Sequence, residues 1–340
     1  MNLKQLSELL ELSPTTVSRA LNGYPEVNAE TRARVKAAAA RHGYAPNTMA
    51  RRLATGRTMG IGHVVPLGEH DMINPIFADF MAGAGEAYSA TGYNMILSVV
   101  PAENELETYR AMAASQNVDG VIVHAPLVDD RRIECLDTLG LPYIVHGRTR
   151  EETGYSWLDI RNRDAFYGAT ARLTALGHRR IALLNGLPGM MFALRRREGY
   201  EAALTDIGAG VDPGLVRGAD MTEPYGYAAA HALLTEADRP TAFLTSSLMV
   251  ALGVNRAVAE LGLQLGRDIS VITHDDALSF LPNGSDVPLF AATKSSVRMA
   301  GKRAAEMLID LIEGRAAGPL TELWDVPLVD GPSLGPGPEA

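Results

Sequence analysis

Residues 1–22 read Met1-Asn-Leu-Lys-Gln-Leu-Ser-Glu-Leu-Leu-Glu-Leu-Ser-Pro-Thr-Thr-Val-Ser-Arg-Ala-Leu-Asn22. Leu3, Leu6, Leu9 and Leu10 recur at helical spacing and form one apolar stripe. The pattern breaks at Glu11-Leu12. Ser13 then caps a second helix, with Pro14 at its first position, where a missing N–H leaves no bond unmade. That helix buries Val17 and Leu21 and turns Thr15, Thr16, Ser18 and Arg19 outward. Short polar side chains and an arginine on the exposed face of a second helix suit base edges in a DNA major groove. The same residues also suit an ordinary helical hairpin, so the neighbouring sequence must decide.

Asn22-Gly23-Tyr24-Pro25 reads as a turn. Asn28 then caps a third helix, from about Ala29 to His42, which Gly43 can terminate. Val35 and Ala38 or Ala39 face inward, and Arg32, Arg34, Lys36 and Arg41 remain in solvent. Three short helices with few large apolar residues make a domain that is marginal alone. After Tyr44-Ala-Pro46, Asn47 can cap a helix of about two turns that ends at Gly56. Such a helix is unstable in isolation and needs a twin or a DNA surface. Arg51 and Arg52 suit phosphates, and Leu53 suits insertion at a minor-groove base step. The alternative is a solvated linker carrying two stray arginines.

Charge separates these readings. Residues 1–57 carry nine Lys/Arg and four Asp/Glu, a balance of +5. The whole chain is −9, which leaves −14 on residues 58–340. A basic head on an acidic body is the asymmetry of a DNA-binding module joined to something that does not bind DNA.

Val17-Ser-Arg-Ala-Leu-Asn-Gly23, Glu30-Thr-Arg32, Gly43-Tyr-Ala-Pro-Asn47 and Ala50-Arg-Arg-Leu-Ala-Thr-Gly56 form an ordered set. The set resembles the headpiece of the LacI/GalR family of bacterial repressors. The resemblance implies that Pro14, Thr15 and Arg19 lie in the major groove and that Leu53 enters the minor groove at an operator's centre. The expected DNA-facing set is Pro14, Thr15, Thr16, Ser18, Arg19, Asn22, Asn47, Arg51 and Leu53. Pro14 departs from the family pattern, because it cannot hydrogen-bond a base edge and contributes only by shape and apolar contact.

The chain of 340 residues is too long for one core. Beyond the head, about 280 residues are enough for two lobes of ordinary domain size. No secretory leader is legible, because Lys4, Glu8 and Glu11 interrupt any apolar stretch. The apolar run from Thr241 to Val254 is too short to span a bilayer. Cys135 is the only cysteine, so no internal disulfide can form. A reducing cytoplasm is expected.

Strand-like runs alternate with helical ones along the body. Strands are expected at 60–65, 93–99, 120–124, 142–146, 180–185, 242–245 and 269–273. Helices are expected at 75–91, 103–117, 162–176, 193–208, 225–235, 249–261 and 298–313. This alternation, repeated in two blocks, predicts two similar lobes, each a parallel sheet covered on both faces. Ligands of such sheets sit outside the carboxyl ends of the strands. The groups found there include His124, His146-Gly-Arg148, Asn185, Ser246-Ser247 and His274-Asp-Asp276, which suit a small polar ligand.

The resemblance extends over this body through Asn74-Pro-Ile-Phe77, Val118-Asp-Gly120, Leu176-Gly-His-Arg-Arg-Ile181, Arg197-Glu-Gly-Tyr200 and Ile269-Ser-Val-Ile-Thr-His-Asp-Asp276. It implies an all-α helix-turn-helix headpiece followed by an α/β core of two parallel-sheet lobes like the periplasmic binding proteins. It places the helix-turn-helix domain at 1–45, a hinge helix at 46–57 and an effector-binding and dimerisation core at 58–331. Within the core, the N-lobe takes about 58–160 and 291–321, and the C-lobe about 161–290 and 322–331. The tail 332–340, rich in Gly and Pro, is expected to be disordered. By matching motif, the effector pocket would hold Phe77, His124, Arg148, Arg196, Met221, Ser247 and Asp275. Asp275 and Arg196 can each engage two adjacent hydroxyls, and Phe77 offers a wall for a sugar ring. The pattern is most like repressors of α-glucoside uptake genes.

The eight histidines raise a metal or catalytic alternative. None sits at His-x3-His or Cys/His ligand spacing, and His274-Asp275-Asp276 lacks a third partner. His178 fits a structural joint; His124 and His146 either contact a ligand or simply end buried strands. Gly83-Ala-Gly85 lies within a helix, not at a strand–helix turn, and no Walker A loop or Gly-x-Ser-x-Gly elbow occurs. No catalytic residue, metal or cofactor is therefore expected. The expected protein is a homodimeric, carbohydrate-responsive repressor of a pseudopalindromic operator on double-stranded DNA, with no membrane association. The alternatives are a solute-binding protein with an unrelated helical extension and a sugar-modifying enzyme. The enzyme would need a carboxylate pair, for which only Asp275-Asp276 offers itself.

Overall fold

The computed structural model describes residues 1–21, 24, 26–44, 56–67, 74–150 and 154–338. Asn22, Asn47, Arg51, Leu53 and most of the expected hinge helix lie outside the described residues. The chain divides into two compact units, Met1–Met59 and Gly60–Ala340.

The first unit is built from α1 (Leu3–Leu10), α2 (Pro14–Leu21) and α3 (Ala29–Arg41). Asn2 and Gln5 cap the start of α1 reciprocally. Ser13 Oγ accepts the Thr16 N–H at 3.0 Å, and Asn28 Oδ1 accepts the Thr31 N–H at 2.7 Å. Leu6, Val17, Ala20 and Val35 meet in a small core, with Leu3, Leu10 and Leu21 against its edge. Leu9, expected in the apolar stripe, is 53% exposed. It lies on the outer side of a helix whose single buried face is already filled by Leu6. Arg32, expected in solvent, instead donates to the carbonyls of Tyr24 and Val27, both at 2.9 Å. Arg34 reaches the Leu10 carbonyl at 3.0 Å. These two arginines hold the α2–α3 connection and the end of α1, so they keep their charge but commit part of their donor capacity to the fold.

The second unit contains two sheets. The first consists of β1 (Gly60–Pro66), β2 (Asn94–Val100), β3 (Gly120–His124), β4 (Tyr143–His146), β5 (Ser156–Ile160) and β11 (Thr321–Trp324), ordered β11-β5-β4-β3-β1-β2. The second consists of β6 (Ile181–Asn185), β7 (Val216–Gly218), β8 (Ala242–Thr245), β9 (Ser270–Asp275), β10 (Ala291–Lys294) and β12 (Leu328–Val329), ordered β12-β10-β9-β8-β6-β7. All neighbours run parallel except the antiparallel pair β10–β12. In chain order the helices are α4 (Pro75–Thr91), α5 (Glu105–Ser115), α6 (Arg131–Leu139), α7 (Asn162–Ala175), α8 (Met191–Asp206), α9 (Glu223–Leu234), α10 (Leu248–Glu260) and α11 (Val297–Ile312). The chain passes between the lobes after β5, after β10 and between β11 and β12.

Each sheet reverses its winding where its first strand meets its third, at β1/β3 and at β6/β8. Such reversals leave a crevice at the carboxyl ends of the strands. The central strands are buried on both faces, which is why they read as unbroken Val/Ile/Leu runs. Gly83 sits at the crossing of α4 with α11, where an added Cβ would overlap the Arg298 carbonyl; its role is close helix packing.

Helix α6 and the short strands β5, β7, β10, β11 and β12 were not legible. The strands are too brief to show alternation, and α6 is carried by a cap, the Arg132 N–H donated to Asp130 Oδ1 at 3.0 Å. The expected disorder of the tail is corrected for residues 332–338. Ser333 Oγ donates to the Val271 carbonyl at 2.6 Å and accepts the Ala291 N–H at 2.9 Å. The Val271 N–H in turn donates to the Ser333 carbonyl at 3.0 Å. A Cβ at Gly335 would overlap the Gly266 carbonyl, so part of the glycine content serves a close approach. Ser333→Ala leaves two buried backbone groups without their partner. It is expected to cost about 1–3 kcal/mol, read as a lower urea midpoint.

Candidate functional site

In the first unit, helix α2 begins with Pro14 at its free N–H end. It presents Pro14, Thr15 and Arg19 to solvent. Thr16 and Ser18 are half-buried, and the Thr16 hydroxyl shares a 2.8 Å hydrogen bond with Ser13. Thr16 therefore spends its side chain on the cap. What remains outward is a short helix face with an apolar N-terminus, one threonine and one guanidinium.

In the second unit, a cavity of about 510 Å³ lies between the lobes at the carboxyl ends of both sheets. That size falls in the range of sites for small organic molecules. Its lips meet where the Val128 N–H donates to the Gly189 carbonyl and the Met191 N–H to the Pro126 carbonyl, each at 3.0 Å. Of the expected pocket residues, Phe77, His124, Arg148, Arg196 and Met221 line it. Ser247 and Asp275 do not. Ser247 caps α10 through the Val250 N–H. Asp275 is buried and accepts the Ala277 N–H at 2.8 Å. Their chain neighbours Ser246 and Asp276 line the cavity instead. Adjacent residues at a strand end point to opposite sides, so a slip of one position exchanges wall for core.

Arg196 is the best-anchored charge. It is 5% exposed, with Nε donating to Asn162 Oδ1 and Nη1 to the Ser246 carbonyl, both at 2.7 Å. Its guanidinium stacks on Phe166 and Phe192, each 4.9 Å away. Burial pushes Arg196 down to about 10, with Asp276 and Asp159 opposing, so it is cationic at neutral pH. Arg148 pairs with Asp159 at 2.9 Å, and Asp159 Oδ1 accepts from Asn162 Nδ2 at 3.2 Å. The polar chain Arg148–Asp159–Asn162–Arg196 therefore crosses from β5 to α7, where the first connection between lobes runs. Burial pushes the Asp276 carboxyl up, but His274 and the Arg196 guanidinium outweigh it and hold the group below its ordinary value. His274 lies 3.5 Å from Asp276. The cavity wall thus combines fixed donors, a carboxylate acceptor and aromatic faces, a set that matches polyhydroxylated rings.

Sequence reading missed Phe80, Asp159 and Asn162, and left His146 undecided; all four line the cavity. One signal was present. His124 and His146 end consecutive strands, and they are paired in register across β3 and β4, so both rings lie on the same side of the sheet. Burial lowers His146 to about 4 and His63 to about 3. Burial, together with His63 and His146, holds His124 well below its ordinary value. In the unfolded chain such rings take up a proton near pH 6.5. Between about 4 and 6.5 the unfolded state therefore binds more protons at His146 than the folded state, and stability falls as pH falls. From pH 7 to pH 5 this ring alone removes about 2 kcal/mol. His146→Asn is expected to unfold in urea with a pH dependence shallower by that amount; an unaltered slope would contradict the neutral buried ring.

Among the described residues no group of three His, Cys, Asp or Glu could hold a metal ion. No helix among them is long and apolar enough to cross a membrane.

Residues 3–47 match the family described as bacterial regulatory proteins, lacI family. Residues 170–334 match a periplasmic binding protein-like domain. The HTH-type transcriptional regulator AglR of Rhizobium meliloti (strain 1021) is 45% identical over 341 residues, covering 100% of this chain and 96% of AglR. A solved complex of the transcriptional regulator CelR with cellobiose has a TM-score of 0.72 at 29% identity, covering 98% of this chain and 99% of that one. The lac repressor dimer bound to operator and the anti-inducer ONPF has a TM-score of 0.77 at 26% identity, covering 98% of both chains.

Proposed function

Because the chain belongs to the lacI family of bacterial regulatory proteins, we propose that it is a DNA-binding transcriptional repressor controlled by a small carbohydrate held between its lobes. The observation that carries the second half is the interlobe cavity, with buried Arg196 and half-buried Asp276 in its wall beside Phe77 and Phe80. A sugar or α-glucoside is the class of effector that this donor–acceptor–aromatic set favours. The contact set proposed for it is Phe77, His124, Arg148, Arg196, Met221 and Asp276.

The headpiece reads half of a pseudopalindromic operator through Pro14, Thr15, Ser18 and Arg19 on α2, with Asn22, Asn47, Arg51 and Leu53 added on the strength of the family resemblance. Residues 1–45 are the reader, 46–57 the hinge, and the rest of the chain the sensor and dimer body. A second copy supplies the other half-site. The edge strand β2 exposes Met95, Leu97 and Val99, an apolar edge that a partner copy would cover. The protein acts where the chromosome is, in the cytoplasm.

Control follows from linkage. An effector that prefers one arrangement of the lobes shifts the dimer toward it, and operator affinity changes only by that difference in preference. Arg148–Asp159–Asn162–Arg196 is suited to sense the guest, since it joins both lobes at their first connection. No catalytic role is proposed: Asp276 lines the cavity while Asp275 is turned into the core, so the pair cannot flank a bond. A thermal-shift screen against mono- and disaccharides tests the reading. A rise in melting temperature for at least one sugar, lost in Arg196→Leu, is expected; no shift with any sugar would contradict it.

A further inference from the structure

We propose that Tyr88 and His63 are positioning residues that fix His124 as a hydrogen-bond donor toward the bound effector. The proposal rests on the cavity being the effector site. It adds which atom type the guest must place against the N-lobe.

Three side chains form a line running from the core to the cavity. Tyr88 on α4 is buried, and its hydroxyl lies 2.8 Å from His63 Nε2. His63, in the middle of β1, is fully buried, and its Nδ1 lies 3.0 Å from His124 Nε2. His124 stands at the end of β3 in the cavity wall, with Phe77 and Phe80 edge-on at 5.1 and 4.8 Å.

A neutral imidazole has one N–H and one bare nitrogen. Two neutral arrangements of the line are therefore possible. In the first, Tyr88 donates to His63 Nε2, His63 Nδ1–H donates to His124 Nε2, and His124 carries its proton on Nδ1. In the second, every bond reverses. His124 then donates inward, His63 donates to the Tyr88 oxygen, and the Tyr88 hydroxyl proton needs another acceptor. His63 Nε2 is the hydrogen-bond partner that the described residues give that hydroxyl. The reversed line would leave a buried O–H unsatisfied, which proteins avoid. A protonated His63 would satisfy the geometry, but it would place an unpaired cation in the core of the sheet.

The first arrangement is therefore the one the geometry selects. His124 meets the guest with Nδ1–H and cannot accept from it. An effector must place a hydroxyl, ring or glycosidic oxygen, or a carboxylate there, and an ammonium group is excluded. The line is fixed before binding, so the donor need not be reoriented when the guest arrives.

The test is two-bond ¹H–¹⁵N correlation on the full-length protein labelled with [¹⁵N]histidine, at pH 7.5 without effector. The signals are assigned by their loss in His63→Asn and His124→Asn. Both rings are expected in the Nδ1–H tautomer. An Nε2–H pattern, or a tautomer average, at His124 would overturn the proposal. Tyr88→Phe keeps the ring but removes the donor. It is expected to turn His124 into a tautomer average and to weaken the tightest sugar among maltose, trehalose, sucrose and cellobiose about 3- to 10-fold by calorimetry, the worth of one hydrogen bond. Unaltered His124 signals in Tyr88→Phe would also overturn it. If none of the four sugars binds the unmodified protein, the effector reading fails, while the tautomer pattern still decides the line.

Discussion

Arg19→Ala is expected to weaken binding to the specific operator about 100- to 1,000-fold while leaving the headpiece folded. Arg19 is exposed in the last turn of α2, and a bidentate Arg–guanine contact is worth about 1–3 kcal/mol. A dimer loses that contact in both half-sites, so the penalties combine. Binding to scrambled duplex should fall far less, because phosphate attraction carries most non-specific affinity. Fluorescence anisotropy on specific and scrambled duplexes separates the two terms. Retained preference for the operator would remove Arg19 from base reading. Arg32→Ala is the control with the opposite signature. It removes the donor to the Tyr24 and Val27 carbonyls, so it should lower headpiece stability without changing which sequence is preferred.

The second large effect belongs to the cavity. Asp276→Asn is expected to weaken the effector about 100-fold. A half-buried carboxylate in the cavity wall that accepts from two hydroxyls makes charge-assisted bonds of about 1.5–3 kcal/mol each. Asp275→Asn should change effector affinity much less, since Asp275 faces the Ala277 N–H rather than the cavity. Both variants should keep operator affinity without effector. Calorimetry with the tightest sugar of the thermal-shift screen reads the difference. A larger loss for Asp275→Asn than for Asp276→Asn would contradict the assignment of the wall.

That pair also marks how far sequence reaches. The reading helix was legible because its signals are local: Ser13 and Pro14 open it, and Val17 lies on its inner face. The two-lobe plan was legible because buried parallel strands are continuous apolar runs separated by whole helices. The cavity was legible as a zone, since each strand end is marked by a change from Val, Ile or Leu to a polar residue. It was not legible to the residue. Whether Ser246 or Ser247, and Asp275 or Asp276, faces the guest depends on where a strand ends, and one residue reverses the answer. Phe80 and Asn162 carry no local sign of their role, because helix packing alone brings them to the wall. Arg32 and Ser333 show the same limit elsewhere. A basic residue in a basic head read as a solvent-facing charge, and a serine in a Gly/Pro tail read as disorder. Each is a hydrogen-bonding clamp whose partners, in the fold, are backbone groups.

Under the proposed control, occupancy of the cavity sets operator affinity. The direct measurement is anisotropy of a labelled operator duplex, selected from genomic fragments, titrated with protein at zero and saturating concentrations of the tightest sugar. Operator affinity is predicted to change within the usual range of allosteric coupling, about 5- to 150-fold, and the change should vanish in Asp276→Asn. A sugar that binds by calorimetry yet leaves operator affinity unaltered would contradict the claim.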